Sequence, residues 1–322
     1  MKEGPDQGGQ GDETMRGPAY VLLIVNPAAR QVAAQPHLPA VAQERLRELG
    51  VESDLLLTAL PGEATDFARS APDHGYEAVV VAGGDGTVNE VVNGLAGTGV
   101  PLGLIPLGTG NVLGGCLGLT PGDLDGACRA LAAARVRSVD LGCVNGRRFA
   151  VMAGIGLDAQ IAADTDDQWK SWLGKLAFVG QFMATLGRLS PWRFEAVLDG
   201  RELAGEAWGL FVCNGPRYAW RVRLAPDAQD DDGLLDFVLF RACSRDELKR
   251  AAADLFITGR AAGHAAPVEV MRGTRLTLRA FPEARWQVDG EVAGCTPVEC
   301  HVEPGALLLL HPAPRGRESR SD

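Results

Sequence analysis

The segment Val79-Val80-Val81-Ala82-Gly83-Gly84-Asp85-Gly86-Thr87-Val88-Asn89-Glu90 leads an apolar run straight into glycines and then into a helix start. Such a junction is suited to binding anions. Glycine lets ligand atoms approach main-chain N–H groups, and the first turn of a helix adds partial positive charge. Leu104-Ile105-Pro106-Leu107-Gly108-Thr109-Gly110-Asn111 leaves a second apolar run through glycines. In an open parallel sheet, two such loops at carboxyl strand ends flank one crevice. A phosphate-bearing ligand is therefore expected; for either loop alone, an ordinary tight strand-to-helix turn is the plain alternative. Asp85 would repel a bare phosphate, which points to a divalent cation between them. A carboxylate that merely caps the helix is the other reading.

Two common nucleotide motifs are excluded. The chain has no GxxxxGK[ST], and Gly84-x-Gly86 is followed by Asn89 where a dinucleotide fingerprint needs a third glycine. The four lysines (Lys2, Lys170, Lys175, Lys249) lie far from both loops in sequence, so phosphate charge falls to main-chain N–H groups, arginine or a metal ion. The seven cysteines contain no CxxC pair, and the five histidines no HxxxH or HExxH. Cys295 and Cys300, with His301 beside them, read as isolated thiols, a metal clip being the lesser alternative. No zinc site is expected, and the thiols suit a cytoplasmic protein.

Positioning these loops requires a framework, and 322 residues suggest roughly two domains. Apolar strands over 20–25, 51–58, 78–82 and 102–106 alternate with helices over 38–49, 63–70 and 87–95. Strands this apolar, separated by helices, predict a doubly wound parallel α/β domain over about 18–137. Beyond it, short alternating strands over 149–153, 193–198, 207–213, 234–240, 275–280 and 285–288 predict an antiparallel β-sandwich over 138–302. Asp-Gly turns punctuate that sandwich, and helices are inserted near 168–189 and 245–258. Residues 303–313 are expected to pack back on the first domain. The ends, 1–17 and 314–322, read as disordered tails. A net charge of −10 argues against a protein that coats nucleic acid. No apolar run reaches the ~18 residues of a membrane span, and the start has no signal-peptide core.

Gly83-Gly84-Asp85-Gly86-Thr87 with Asn89-Glu90, and Pro106-Leu107-Gly108-Thr109-Gly110-Asn111, resemble the two nucleotide loops of the diacylglycerol kinase catalytic family. The nearest likeness is to its bacterial lipid kinases related to sphingosine kinases. Val139-Asp140-Leu141-Gly142, Gly154-Ile155-Gly156-Leu157-Asp158-Ala159, Asp231-Asp232-Gly233-Leu234-Leu235-Asp236 and Val288-Asp289-Gly290-Glu291 resemble later family motifs in the right order, over about 18–312. The resemblance implies an ATP- and Mg²⁺-dependent kinase that phosphorylates a lipid hydroxyl, with diacylglycerol the leading acceptor. It implies ATP contacts at Asn26, Thr58, residues Gly83, Gly84, Asp85, Gly86, Thr87, Val88, Asn89 and Glu90, and at Gly108, Thr109 and Asn111. Asp85 and Asp140 would hold the catalytic Mg²⁺, and Glu291 would accept the proton of the lipid hydroxyl. A structural metal is implied at Asp232, with Gln229 and the main-chain oxygen of Leu234.

This chain departs from the family pattern at three places. Asn26-Pro27-Ala28-Ala29-Arg30 lacks the usual Ser-Gly pair, Val112 stands where many relatives carry Asp, and Arg217-Tyr218-Ala219-Trp220-Arg221 replaces glycines. A kinase of a soluble alcohol such as NAD, and a catalytically weak lipid-binding module, are the alternative functions. From Gln168 to Trp192 there is no acidic residue, while Trp169, Trp172, Leu173, Leu176, Val179, Met183 and Leu186 recur at three- and four-residue spacing. That pattern fits a helix at an anionic bilayer surface, and equally a core helix. The expected partners are thus a lipid substrate at a membrane surface, approached from the cytoplasm, and a second copy of the chain as a candidate homodimer.

Overall fold

The computed structural model describes residues 17–108, 110–164, 189–219, 222–241, 243–258 and 268–312. Thr109, and almost all of the expected tails and of the 168–192 stretch, lie outside these residues.

The first lobe runs β1 (Tyr20–Val25), α1 (Arg30–Ala34), α2 (Leu38–Glu48), β2 (Glu52–Leu57), α3 (Glu63–Ser70), β3 (Ala78–Gly83), α4 (Asp85–Leu95), β4 (Leu102–Pro106), α5 (Val112–Cys116) and α6 (Leu124–Ala132). Its strands are parallel in the order β2-β1-β3-β4. Successive strand side chains point to opposite faces, so one strand supplies two cores. Leu22 and Ile24 pack with Ala64, Ala68, Val91 and Leu95 of α3 and α4. Val21, Leu23 and Val25 pack with Val32, Ala42 and Leu46 on the other side. Near-continuous burial along β1, β3 and β4 follows from this double cover. The chain order reverses between β1 and β3, which opens a crevice at their carboxyl ends.

The second lobe runs β5 (Arg135–Val144), β6 (Arg147–Phe149), β7 (Met152–Gly156), α7 (Leu157–Asp164), β8 (Trp192–Leu198), β9 (Arg201–Cys213), β10 (Arg217–Ala219), β11 (Val222–Arg223) and β12 (Leu235–Arg241). It continues through α8 (Arg245–Thr258), β13 (Val268–Gly273), β14 (Arg275–Phe281), β15 (Arg285–Val288), β16 (Glu291–Cys295) and β17 (Val298–His311). These strands pair antiparallel, and Phe149, Phe194, Leu210, Phe237 and Trp286 fill their core. Asp289 and Gly290, with φ of 44° and 94°, make the tight β15–β16 turn, a left-handed pair that Asp-Gly adopts readily.

β17 joins the lobes. It pairs antiparallel with β5 from Cys300–Val144 to His311–Arg135, with an irregularity between Glu303 and Leu307, and Leu309 lies parallel beside Leu102 of β4.

Two sequence expectations need correction. The helix expected from Thr87 starts at Asp85, because extended Gly84 is its N-cap. The strand expected over 149–153 is two strands, β6 and β7, interrupted at Ala150 and Val151. The N–H groups of those two residues donate to the Asp289 carboxylate instead of a ladder (3.2 and 3.3 Å).

Candidate active site

The two glycine loops meet. A Cβ added at Gly108 would lie 2.5 Å from Gly84 Cα, backbone against backbone. Asp85, in the first turn of α4, accepts hydrogen bonds from the N–H groups of Asn111 (2.8 Å) and Val112 (2.7 Å). It therefore caps the start of α5 and locks one loop to the other. Asn26 Nδ2 donates to Thr87 Oγ1 (3.0 Å), and the Thr58 N–H donates to Val25 O (2.9 Å), so β1 and β2 end on the same crevice. Val88 is buried and Glu90 half-buried on α4. Asn111 is 2% exposed with φ 49°, and neither its Nδ2 nor its Oδ1 has a partner. A buried amide costs free energy until a ligand or water satisfies it. Its position beside Gly108 and Asp85 fits a phosphate or cation ligand there. Gly108→Ala is expected to spread the loops and weaken binding of a fluorescent ATP analogue by about a hundredfold, since ~1 Å of misplacement suffices for such a loss. Gly84→Ala, whose Cβ would sit an ordinary 3.8 Å from Gly108 Cα, should leave the loops in place.

The second lobe closes on α4. The Glu291 carboxylate packs over Gly86, where an added Cβ would overlap Glu291 Oε1. Arg147 Nη2 donates to Glu291 Oε2 and forms an ion pair with it. Asn89 turns toward this lobe: its Nδ2 donates to Arg148 O (2.9 Å) and Asp289 Oδ2 (3.0 Å). Asp289 also receives the N–H groups of Ala150, Val151 and Met152. Burial pushes its carboxyl up to about 6 despite these donors, and the charge of Asp85 pushes in the same direction. Asp85, Asp289 and Glu291 thus gather at one interlobe junction.

That junction opens into a cavity of about 160 Å³ whose wall includes Asp85, Asp289, Val88, Val112, Leu113 and Met152. Asp158, Tyr218 and Gln287 add a polar floor. Tyr218 Oη donates to Asp158 Oδ1 (2.6 Å), and Gln287 Nε2 donates to Asp158 Oδ2. Burial raises the Asp158 carboxyl from its ordinary 3.8 to about 6, and the two donors offset only part of that. The folded chain therefore keeps a proton there that the unfolded chain loses above about pH 4. The stabilisation is complete below the unfolded value and is lost as pH rises through about 6. Between pH 4 and 7, Asp158→Asn should gain about 3 kcal/mol relative to the parent, read from denaturant melts at each pH.

Asp140 sits deeper. Its Oδ2 accepts from the Gly233 N–H (2.7 Å) and its Oδ1 from the Gly305 N–H (2.8 Å), so it stands against the 229–234 loop. Asn214 holds the same strand through Asp140 O (2.8 Å) and Ala150 O (2.9 Å), while its own Oδ1 is unpartnered. In the loop, Asp232 Oδ1 accepts the Leu234 N–H (3.1 Å), Asp232 Oδ2 pairs with Arg272 (3.0 Å), and Gln229 is exposed. The Arg272 guanidinium thus already supplies positive charge to Asp232. Of the expected residues, Asp85, Glu291 and both glycine loops come together, whereas Asp140 and the 229–234 residues form a separate group.

Sequence reasoning assigned no role to Arg147, Asp289, Asn214, Tyr218 or Gln287. Asp289 was visible inside the Asp-Gly-Glu turn. Nothing local marks Arg147 or Asn214, whose partners come from distant strands.

The chain matches the family model for the diacylglycerol kinase catalytic domain over residues 20–144. It matches that for the YegS C-terminal NAD kinase beta sandwich-like domain over 150–311. A diacylglycerol kinase of Bacillus subtilis (strain 168) is 30% identical over 281 residues, covering 86% of this chain and 91% of the relative. One from Staphylococcus aureus (strain JH9) is 30% identical over 288 residues, covering 87% and 90%. A solved structure from Bacillus anthracis str. Sterne superposes with a TM-score of 0.75 at 25% identity, covering 93% of this chain and 99% of that one.

Proposed function

The chain belongs to the diacylglycerol kinase catalytic family, and on that premise we propose that it transfers the γ-phosphate of ATP to the free hydroxyl of diacylglycerol, giving phosphatidic acid. Its class, a lipid kinase, follows from the family; the acceptor, the nucleotide and the metal are inferred. The observation that carries the reading is the Glu291 carboxylate lying over Gly86, at the end of the phosphate-type loop and beside an apolar cavity.

Main-chain N–H groups of the two loops would hold the phosphates, and the Asn111 amide would gain the partner it lacks. The apolar wall suits the acceptor's chain-bearing end, leaving its hydroxyl toward Glu291. An alcohol, far too weak an acid to ionise at neutral pH, is a poor nucleophile until a positioned carboxylate takes its proton. In the transfer the acceptor O–H proton passes to Glu291, an O–P bond forms, the bond from Pγ to the β,γ-bridging oxygen breaks, and ADP leaves. Asp85, where the two glycine loops meet, is the candidate Mg²⁺ carboxylate, and Asp140, held against the 229–234 loop, would reach such an ion only through water. Bound Mg²⁺ would neutralise charge on the transferring phosphate. Asp232, Gln229 and the Leu234 carbonyl remain the proposed structural-metal set, which would share Asp232 with Arg272.

Among the described residues no helix is long and apolar enough to cross a membrane. Access to a lipid acceptor is proposed to be peripheral, at a membrane surface. The test is incubation of the purified protein with radiolabelled ATP and a panel of extracted lipids in mixed vesicles. Label in phosphatidic acid, abolished by EDTA, is the expected result. Label in another lipid would reassign the acceptor, label in NAD would replace the lipid reading, and vesicle binding without transfer would leave a regulatory module.

A further inference from the structure

Cys143, His301 and Glu303 stand together on one face of the β5–β17 ribbon, and none of them lines the cavity. The register dictates the grouping. His301 lies directly opposite Cys143, and Glu303, two residues along β17, points to the same face. One donor atom from each lies within 4.8 Å of the others. Among the described residues this is the one such group of three His, Cys, Asp or Glu donors.

We propose that Cys143, His301 and Glu303 form a binding site for a thiophilic divalent cation of the Zn²⁺ class, which clamps β5 to β17.

The donor set argues for the class. One sulfur, one imidazole nitrogen and one carboxylate oxygen are ligands of Zn²⁺ or Co²⁺, whereas Mg²⁺ takes oxygen alone. The surroundings also differ from those of a structural thiol. Cys143 is 3% exposed yet belongs to none of the three apolar clusters, and its other cross-strand neighbour is Arg148 of β6. Arg148 Nε donates to Glu303 Oε2 (2.6 Å), and Glu303 Oε1 lies 3.6 Å from His301 Nε2. One carboxylate oxygen is thus held from behind while the other faces the imidazole, the way outer partners orient a metal-ligating carboxylate. The half-exposed His301 leaves a position for water as fourth ligand. A clamp here would fix the register beside the irregularity after Glu303, next to the Gly305 N–H that caps Asp140.

The test uses the full chain, stripped with chelator and titrated with CoCl₂. One equivalent should bind with a thiolate-to-cobalt charge-transfer band, ZnCl₂ should bleach it, and stoichiometric Zn²⁺ should raise the melting temperature. The band should vanish in Cys143→Ser and in His301→Ala, and persist in Cys295→Ser, which removes the exposed thiol. His301 is half-exposed, so its variant keeps the test valid should Cys143→Ser fold poorly; far-UV circular dichroism checks both. No band, or a band that survives either ligand substitution, overturns the site. Kinase turnover is not the readout, so this result and that of the lipid assay are separable.

Discussion

Glu291→Gln is expected to lower turnover by about 10²–10⁴-fold, the usual worth of a general base, while leaving nucleotide affinity unchanged. Glutamine fills the same volume over Gly86 and retains an oxygen for Arg147 Nη2, so the lobes should stay closed and the fold intact. What disappears is the capacity to accept the acceptor's proton. Single-turnover measurements with saturating ATP and vesicle-borne diacylglycerol separate this from a binding defect, and a fluorescent nucleotide titration gives the affinity independently. Turnover within a few-fold of the parent would remove Glu291 from the reaction. The Arg147 contact would then be read as a surface ion pair within the second lobe, worth about 1 kcal/mol or less.

Asp85→Asn should instead damage binding and turnover together. The parent carboxylate accepts two main-chain N–H groups, those of Asn111 and Val112. An amide offers one oxygen, so its NH₂ must face one of these donors, and the second glycine loop loses a tether. The same change removes a negative charge proposed to hold Mg²⁺. If the two losses together come to about 4 kcal/mol, kcat/KM falls about a thousandfold. The nucleotide titration should show weakened affinity as well. Unchanged affinity with reduced turnover would show that the tether is dispensable and the charge alone matters. Unchanged values for both would remove Asp85 from the site.

The local pattern in this chain was legible wherever the physics is local. Apolar runs bounded by turn residues marked β1, β3 and β4, and Asp-Gly marked the β15–β16 turn. Glycine at the ends of two buried strands marked the two loops that meet at Asp85. The family resemblance put Glu291 with the glycine loops, and its carboxylate lies over Gly86. Less was visible where contacts are made across the fold. The 149–153 run breaks in two because Asp289, in another hairpin, takes its N–H groups. Asn89, expected at the nucleotide, turns to Arg148 and Asp289. Tyr218, in a stretch that departs from the family pattern, bonds Asp158 at the cavity floor.

Residue order by itself therefore determined the elements, the parallel-then-antiparallel layout and the glycine turns at the strand ends, because propensity, alternation and turn geometry act over a few neighbours. Only the tertiary structure decided which side chains share a site. Cys143 meets His301 because an antiparallel register sets them opposite, and no spacing along the chain encodes that pairing. Asp85 and Asp289 become neighbours because Asn89, one turn along α4 from Asp85, bonds Arg148 O and the Asp289 carboxylate of the second lobe, contacts no local pattern specifies.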